Sequence, residues 1–228
     1  MKIVESNVKT LSIDTSDLSI FSQMSESEVN EVLLNSNSLV RTFRKSDYVS
    51  FPGDSAKELG VVLEGTIHAV AESVLGKKTI ISNLTRGDLV YGNIFYREQN
   101  RQDVSYLVAK DSKILVLPIE GMHRANLDLD IRRKMLFNIM RLVAANETKL
   151  VEKIDIMGQR FVRDRVLMFL RMESKRQGCL RFTIPYNRTD LADYLSVDRS
   201  SLTRELYQMK KEGLIDFNRN VFEVKFEL

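Results

Sequence analysis

Arg199, Ser200, Thr203, Arg204 and Tyr207 carry side chains able to bond to the edges of stacked bases, and they recur at helical spacing. On an α-helix these five share one face, while Leu202, Leu206 and Met209 fall on the other. An arginine fork matches guanine O6 and N7 in bidentate fashion, discriminating against a wrong base by ~1–3 kcal/mol. Arg199, Ser200, Thr203 and Arg204 are therefore the candidates for base contacts in a DNA major groove. The plainer alternative is a solvated face, or a salt bridge from Arg204 to groups near Glu205. Asn187, Arg188, Thr189, Ser201 and Arg219 are better suited to phosphates, where contacts set orientation and affinity without reading sequence.

The elements that must position these residues lie in residues 186–225. The pattern predicts a helix over 188–195, a tight turn at Ser196-Val197, and a second helix over 199–211 opened by Asp198 as N-cap. Leu191, Ala192, Leu195, Val197, Leu202, Leu206 and Met209 are spaced to form one shared core, with Ala192 small where the helices cross. Gly213 ends the second helix. Residues 214–217, 218–220 and 221–225 then read as strand, turn and strand, a hairpin wing beside a helix-turn-helix. Each cue is weak alone, whereas their order and spacing are specific.

Upstream, Ser25 with Glu28 three residues on marks a helix start within 17–34, where the pattern predicts short helices. From about Leu39 to Leu117 the texture becomes short and alternating. Leu59–Leu63, Thr66–Val70, Lys78–Ser82 and Lys113–Leu117 read as strands, and Gly53-Asp54, Glu64-Gly65, Gly76-Lys77 and Gly87-Asp88 as turns. Such spacing predicts a sandwich or a jelly roll closing on itself. Residues 129–157 contain no Gly or Pro and take a helical period, roughly 40 Å at 1.5 Å per residue. Leu136, Val143, Leu150 and Met157 recur every seven residues, with Ile139, Asn146 and Ile154 near intermediate positions. A heptad seam predicts a partner helix, most simply its own copy in a parallel dimer, with Asn146 fixing register. The alternative is a long helix packed on its own barrel. After Gly158 a further amphipathic helix is predicted over 160–176.

Composition narrows the class. The 228 residues are 43% hydrophobic and 29% charged, a balance that supports a globular core. No run approaches the ~18 apolar residues of a spanning helix, and the first residues lack a signal peptide's apolar segment. One cysteine, Cys179, forms neither an intrachain disulfide nor a thiolate metal site. A cytoplasmic protein is expected, with no membrane partner. The net charge is +3, and residues 158–228 hold 14 basic against 10 acidic side chains, so the excess lies beside the helix-turn-helix. With two histidines, no phosphate-cradling glycine loop and no paired-carboxylate site, enzymatic chemistry is not expected.

The chain resembles the CRP/FNR family of bacterial transcription regulators over nearly its whole length. The matching pieces are Gly53-Asp54, the run Leu63-Glu-Gly-Thr66, Leu84-Thr-Arg-Gly-Asp-Leu89, Gly92, the long helix, Thr189-Asp-Leu-Ala192, and Asp198-Arg-Ser-Ser-Leu-Thr-Arg204. The resemblance implies an α+β protein in three parts. These are an N-terminal double-stranded β-helix (jelly roll) sensor at 1–128, a dimerisation helix at 129–157 and a C-terminal winged helix-turn-helix at 158–228. It implies a homodimer on a near-palindromic duplex operator, with RNA polymerase as a further partner. Arg199, Ser200 and Arg204 fall on family positions that touch bases; Ser200 replaces a common glutamate, which puts the family's usual operator in doubt.

The effector pocket departs from the cyclic-nucleotide pattern. Matching the segment after Gly92 without gaps puts Asn93 at the ribose-binding glutamate, Asp103 at the phosphate-binding arginine and Val104 at the hydroxyl residue that follows it. A carboxylate repels a phosphate that an arginine would pair, and Arg101 lies two residues earlier on the same strand face. Cyclic AMP is therefore not expected, nor is an iron–sulfur cluster with one cysteine. Haem stays open, with no axial ligand nominated between His68 and His123, and the methionines at helical core spacing read as packing. The expected function is a regulator answering an unidentified effector. The alternatives are a haem- or redox-responsive member of the same family, or a regulatory module that acts on a protein partner.

Overall fold

The computed structural model describes residues 4–7, 14–51, 57–73, 76, 78–90, 104–124 and 127–226. The chain forms two compact units, one from Met1–Ala71 with Asn83–Glu147, the other from Glu72–Ser82 with Thr148–Leu228. The long helix, expected as a segment of its own, is shared between the two.

Strands β1 (Val4–Asn7), β2 (Leu39–Phe43), β3 (Tyr48–Ser50), β4 (Glu58–Glu72), β5 (Lys78–Leu84), β6 (Leu89–Val90) and β7 (Ser105–Pro118) form a seven-stranded sheet. Its path runs β1-β2-β7-β4-β5, with β3 on β7 and β6 on β4, and the registers are antiparallel. This is the expected β-roll, with one correction. Leu59–Leu63 and Thr66–Val70 are not separate strands joined at Glu64-Gly65; both belong to β4, whose register on β7 shifts between Val62 and Ile67. Gly65 has φ +92, and a Cβ there would lie 2.2 Å from Ser112 Oγ and 2.3 Å from the Asp111 carbonyl. Ser112 Oγ accepts the Thr66 amide at 3.1 Å and donates to the Lys110 carbonyl. A glycine that reads as a turn is a bulge, kinking two long strands together without reversing the chain.

Two helices close this core. α1 (Glu26–Asn35) starts with the predicted capping box: Ser25 Oγ accepts from the Glu28 amide, and Glu28 accepts from the Ser25 amide at 2.6 Å. α2 (Ile119–Arg124) follows β7. α3 (Leu129–Gly158) begins on the core, where Ile131, Met135 and Ile139 pack with Val29, Val32, Leu59 and Leu117. Lys134 ties α3 to Glu28 at 2.7 Å, and buried Asn138 donates to the Ile20 and Ser22 carbonyls at 3.0 and 2.8 Å.

These contacts take one residue of the expected seam, Ile139, into the β-roll core. Ile139 is 8% exposed and belongs to the β-roll core, whereas Met140 is 60% exposed and Ile154 68%. Leu136, Phe137, Leu150 and Val151 are exposed too, and Val143, Asn146 and Met157 are intermediate. The apolar line therefore steps 136, 140, 143, 147, 150, 154, which makes Leu136, Val143 and Leu150 the first members of four-residue steps. Glu147 falls in that line and Asn146 beside it. Ile154, four residues after Leu150 where the other phase needs three, was the signal.

In the second unit α3 runs to Gly158 and is followed by α4 (Val162–Gln177), β8 (Arg181–Thr183), α5 (Arg188–Leu195), α6 (Arg199–Lys211), β9 (Ile215–Asn218) and β10 (Val221–Val224). The three strands pair antiparallel in the order β8-β10-β9. β8 has no signal in the sequence, because three residues give no readable alternation; Phe182 is buried opposite Phe222. Phe169, Leu170, Leu195, Leu202, Leu206, Met209 and Phe222 are fully or almost fully buried between helices and sheet.

Lys153 is an unusual member of this interior. It is 6% exposed, and its Nζ lies 3.8 Å from the Tyr194 ring centre with no hydrogen-bond partner among the described residues. Burial, assisted by the charge of Arg165, brings its pKa down to about 7. Between about pH 7 and the ordinary lysine value the unfolded chain binds a proton that the folded chain has lost, so stability rises with pH there. Below that window both states are protonated and the slope vanishes. Above pH ~10 Tyr186 and Tyr194, held up by burial, reverse the sign.

Two outcomes follow for unfolding measurements. Gly65→Ala costs on the order of 3 kcal/mol in denaturant titrations, whereas Gly76→Ala, in open space at φ +76, costs about 1 kcal/mol. The midpoint of the second unit's unfolding rises from pH 7 to 9, and Lys153→Met abolishes most of that rise while stabilising the unit at pH 6.5; an unchanged slope in the variant contradicts the assignment.

Candidate nucleic-acid interface

The geometry of α6 begins with the burial of its apolar side. Leu202, Leu206 and Met209 are sealed against α4, α5 and β9. At about 100° per residue that leaves residues 199, 200, 203, 204 and 207 within roughly 140° of the opposite arc. Arg199, Ser200 and Arg204 are exposed, and Tyr207 is 62% exposed. Thr203 is intermediate, its hydroxyl donating to the Arg199 carbonyl one turn back at 2.7 Å. Ser201 is intermediate as well.

Neither Arg199 nor Arg204 makes a side-chain hydrogen bond or ion pair among the described residues. The salt-bridge alternative for Arg204 is not formed among the described residues, and Glu205 Oε1 is itself buried without a hydrogen-bond partner there. Arg163 of α4 pairs with Glu212 and approaches Glu205 at 3.8 Å, and Gln208 donates to Glu212 at 2.7 Å. Glu205 and Glu212 thus lie toward Arg163, while Asp198 at the N-cap stays exposed beside Arg199.

The turn ahead of α6 folds as its sequence dictates. Ser196 takes the left-handed conformation at φ 52, and the Val197 amide donates to the Ala192 carbonyl at 3.0 Å. Arg165 reaches the carbonyls closing α5, donating to Leu195 O at 3.2 Å and to Ser196 O at 3.4 Å. Asp198 stands at the N-cap of α6 in extended conformation, but its side chain makes no cap hydrogen bond. Residue preference places the cap; it does not choose the rotamer.

At the start of α5, Asn187 is the N-cap, its Oδ1 accepting from the Thr189 and Asp190 amides at 2.8 and 2.9 Å. Thr189 and Arg219 are exposed. Arg188 departs from the expectation of a phosphate contact. It is half-buried, and its guanidinium donates to the Arg219 carbonyl at 3.1 Å while lying over the rings of Phe217 and Phe222. Phe217 also meets Tyr207 edge-on, with ring centres 5.4 Å apart, so the reading helix and the wing share an aromatic joint that sequence spacing did not reveal.

Of the effector-pocket candidates, Gly92, Asn93, Arg101 and Asp103 lie outside the described residues, and Val104 is intermediate in exposure. His68 is buried on β4 opposite Leu107, and Cys179 is exposed. Among the described residues no helix is long and apolar enough to cross a membrane.

The comparisons agree with this arrangement. Residues 40–125 match the cyclic nucleotide-binding domain family and residues 164–225 the Crp-like helix-turn-helix domain family, together well over half of the chain. The transcriptional activator protein FnrL of Cereibacter sphaeroides is 22% identical over 189 residues, covering 77% of this chain and 71% of its own. An anaerobic regulatory protein of Bacillus subtilis is 25% identical over 193 residues, covering 82% and 80%. Among solved structures, the c-di-GMP-responsive global regulator CLP of Xanthomonas campestris superposes with a TM-score of 0.73 at 18% identity, covering 89% of this chain and all of that one. With a cyclic-nucleotide-type β-roll, a long helix and a Crp-like reader in that order along one chain, the protein belongs to the CRP/FNR family of transcription regulators.

Proposed function

We propose that the protein is a homodimeric, sequence-specific DNA-binding regulator that acts by binding and not by catalysis, and that answers an effector other than cyclic AMP. The observation that carries the reading is the outward pair Arg199 and Arg204, both exposed and without a side-chain hydrogen bond or ion pair among the described residues. In this reading α6 enters the major groove, with Arg199, Ser200, Thr203 and Arg204 at base edges. Asn187, Thr189, Ser201 and Arg219 stand at phosphates. The exposed line on α3 from Leu136 through Met140 to Leu150 and Ile154 seats against the same line of a second copy. Burying that line on both copies supplies the apolar contact that a lone helix in water lacks. Two readers then address half-sites about 34 Å apart on a near-palindromic operator. The effector reading rests on sequence: Asn93 and Asp103 stand where cyclic-nucleotide binding needs a glutamate and an arginine. Contact with RNA polymerase follows from the family.

The operator is obtained by selection from random duplexes and used in shift assays. Arg199→Ala and Arg204→Ala each weaken specific binding about 5- to 150-fold, the ~1–3 kcal/mol of a bidentate contact, and relax preference at one position per half-site. Unchanged affinity and preference in both variants contradicts the site assignment. For the dimer, Met140→Glu combined with Ile154→Glu yields a folded monomer by light scattering, with operator affinity lost. A variant that stays dimeric refutes this seam.

A further inference from the structure

The wing turn is held from two sides. On one, the Ile184 amide donates to the Asn220 carbonyl at 2.9 Å, and Asn220 Nδ2 returns a bond to the Ile184 carbonyl at 3.2 Å. On the other, Arg188, the first residue of α5, donates to the carbonyl of Arg219. Arg219 itself sits at φ 52, a left-handed conformation that costs a non-glycine residue free energy and persists only where its surroundings enforce it. The Arg188 guanidinium is centred 4.8 Å from the Phe217 ring and 5.3 Å from the Phe222 ring, one on β9 and the other on β10. Burial accordingly lowers its pKa from the usual arginine value. A guanidinium that donates to the Arg219 carbonyl and lies over two wing rings is tied to the wing, so its contacts are made to the turn before any phosphate arrives.

We propose that Arg188 is a positioning residue, which fixes the strained wing turn so that the Arg219 side chain is already in place for a DNA phosphate. This rests on the DNA-binding reading above and goes beyond it, since it makes Arg188 act through Arg219. The physical gain is preorganisation: the cost of ordering the turn is met during folding and not on binding. The hydrogen bond and the two ring contacts converge on one side chain, so a lysine, which lacks the planar fork and its stacking face, does not reproduce them.

The test combines a double-variant cycle with a measurement on the free protein. Affinity for the selected operator is followed against salt for the wild type, Arg188→Ala, Arg188→Lys, Arg219→Ala and the double alanine variant. Arg219→Ala makes the slope of log affinity on log salt shallower by about 0.9, one phosphate contact. Arg188→Ala and Arg188→Lys do the same, and the double variant is no weaker than either single alanine change. In the absence of DNA, hydrogen exchange across residues 218–221 is faster in both Arg188 variants, while the melting temperature of the second unit confirms that each is folded. Additive losses, or an Arg188→Lys variant with wild-type affinity and slope, overturn the proposal and make Arg188 a phosphate contact in its own right. Unchanged exchange in the wing also overturns it. A wild type that binds no duplex defeats the DNA-binding reading instead, and the exchange data still report whether Arg188 holds the turn.

Discussion

Everything in the reader depends on which side of α6 can be buried. Leu202, Leu206 and Met209 have one place to go, the interior formed by α4, α5 and β9, and their burial leaves the arginines nowhere but outside. The same constraint sorts the charges. Arg163 on α4 pairs with Glu212 and lies 3.8 Å from Glu205 on the flank of α6, while Arg199 and Arg204 stay exposed. An outward-facing pair of arginines is thus a consequence of packing an amphipathic helix, with no separate device needed to aim it.

The β-roll follows a comparable logic. Its two longest strands, β4 and β7, pair along most of their length and would stay straight but for the irregularity at Gly65. That position without a Cβ lets Ser112 close against the Thr66 amide where the register of β4 on β7 shifts. The start of α3 seals the core through Ile131, Met135 and Ile139, leaving Leu136, Phe137 and Met140 exposed. Two adjacent residues, Ile139 and Met140, therefore serve different surfaces: one holds the β-roll together, the other faces outward.

The helix-turn-helix was legible nearly to the residue, with α5 and α6 ending where the spacing of leucines, the left-handed Ser196 and Gly213 said they should. Local rules act there: periodicity, caps and a tight turn are all encoded within a few residues of where they operate. What escaped the sequence depends on distant partners. Glu64-Gly65 reads as a turn until Ser112 is opposite it, and Ile139 reads as seam until α1 and β4 cover it. Arg188 looks like a phosphate ligand until the wing, thirty-one residues on, offers it a carbonyl and two rings. The effector site is the least legible part. Its candidate residues are defined only by what they lack, and a missing arginine names no ligand.

The central claim is that Arg204 and Arg199 touch base edges and not merely the duplex charge. The most direct measurement replaces guanines of the selected operator, one position at a time, with 7-deazaguanine, which removes the N7 acceptor and leaves the phosphates untouched. Wild-type affinity is expected to fall several-fold at one symmetric pair of guanines, with no further loss there when Arg204→Ala or Arg199→Ala is already present. Indifference to the substitution at every guanine, with tight binding retained, would contradict it.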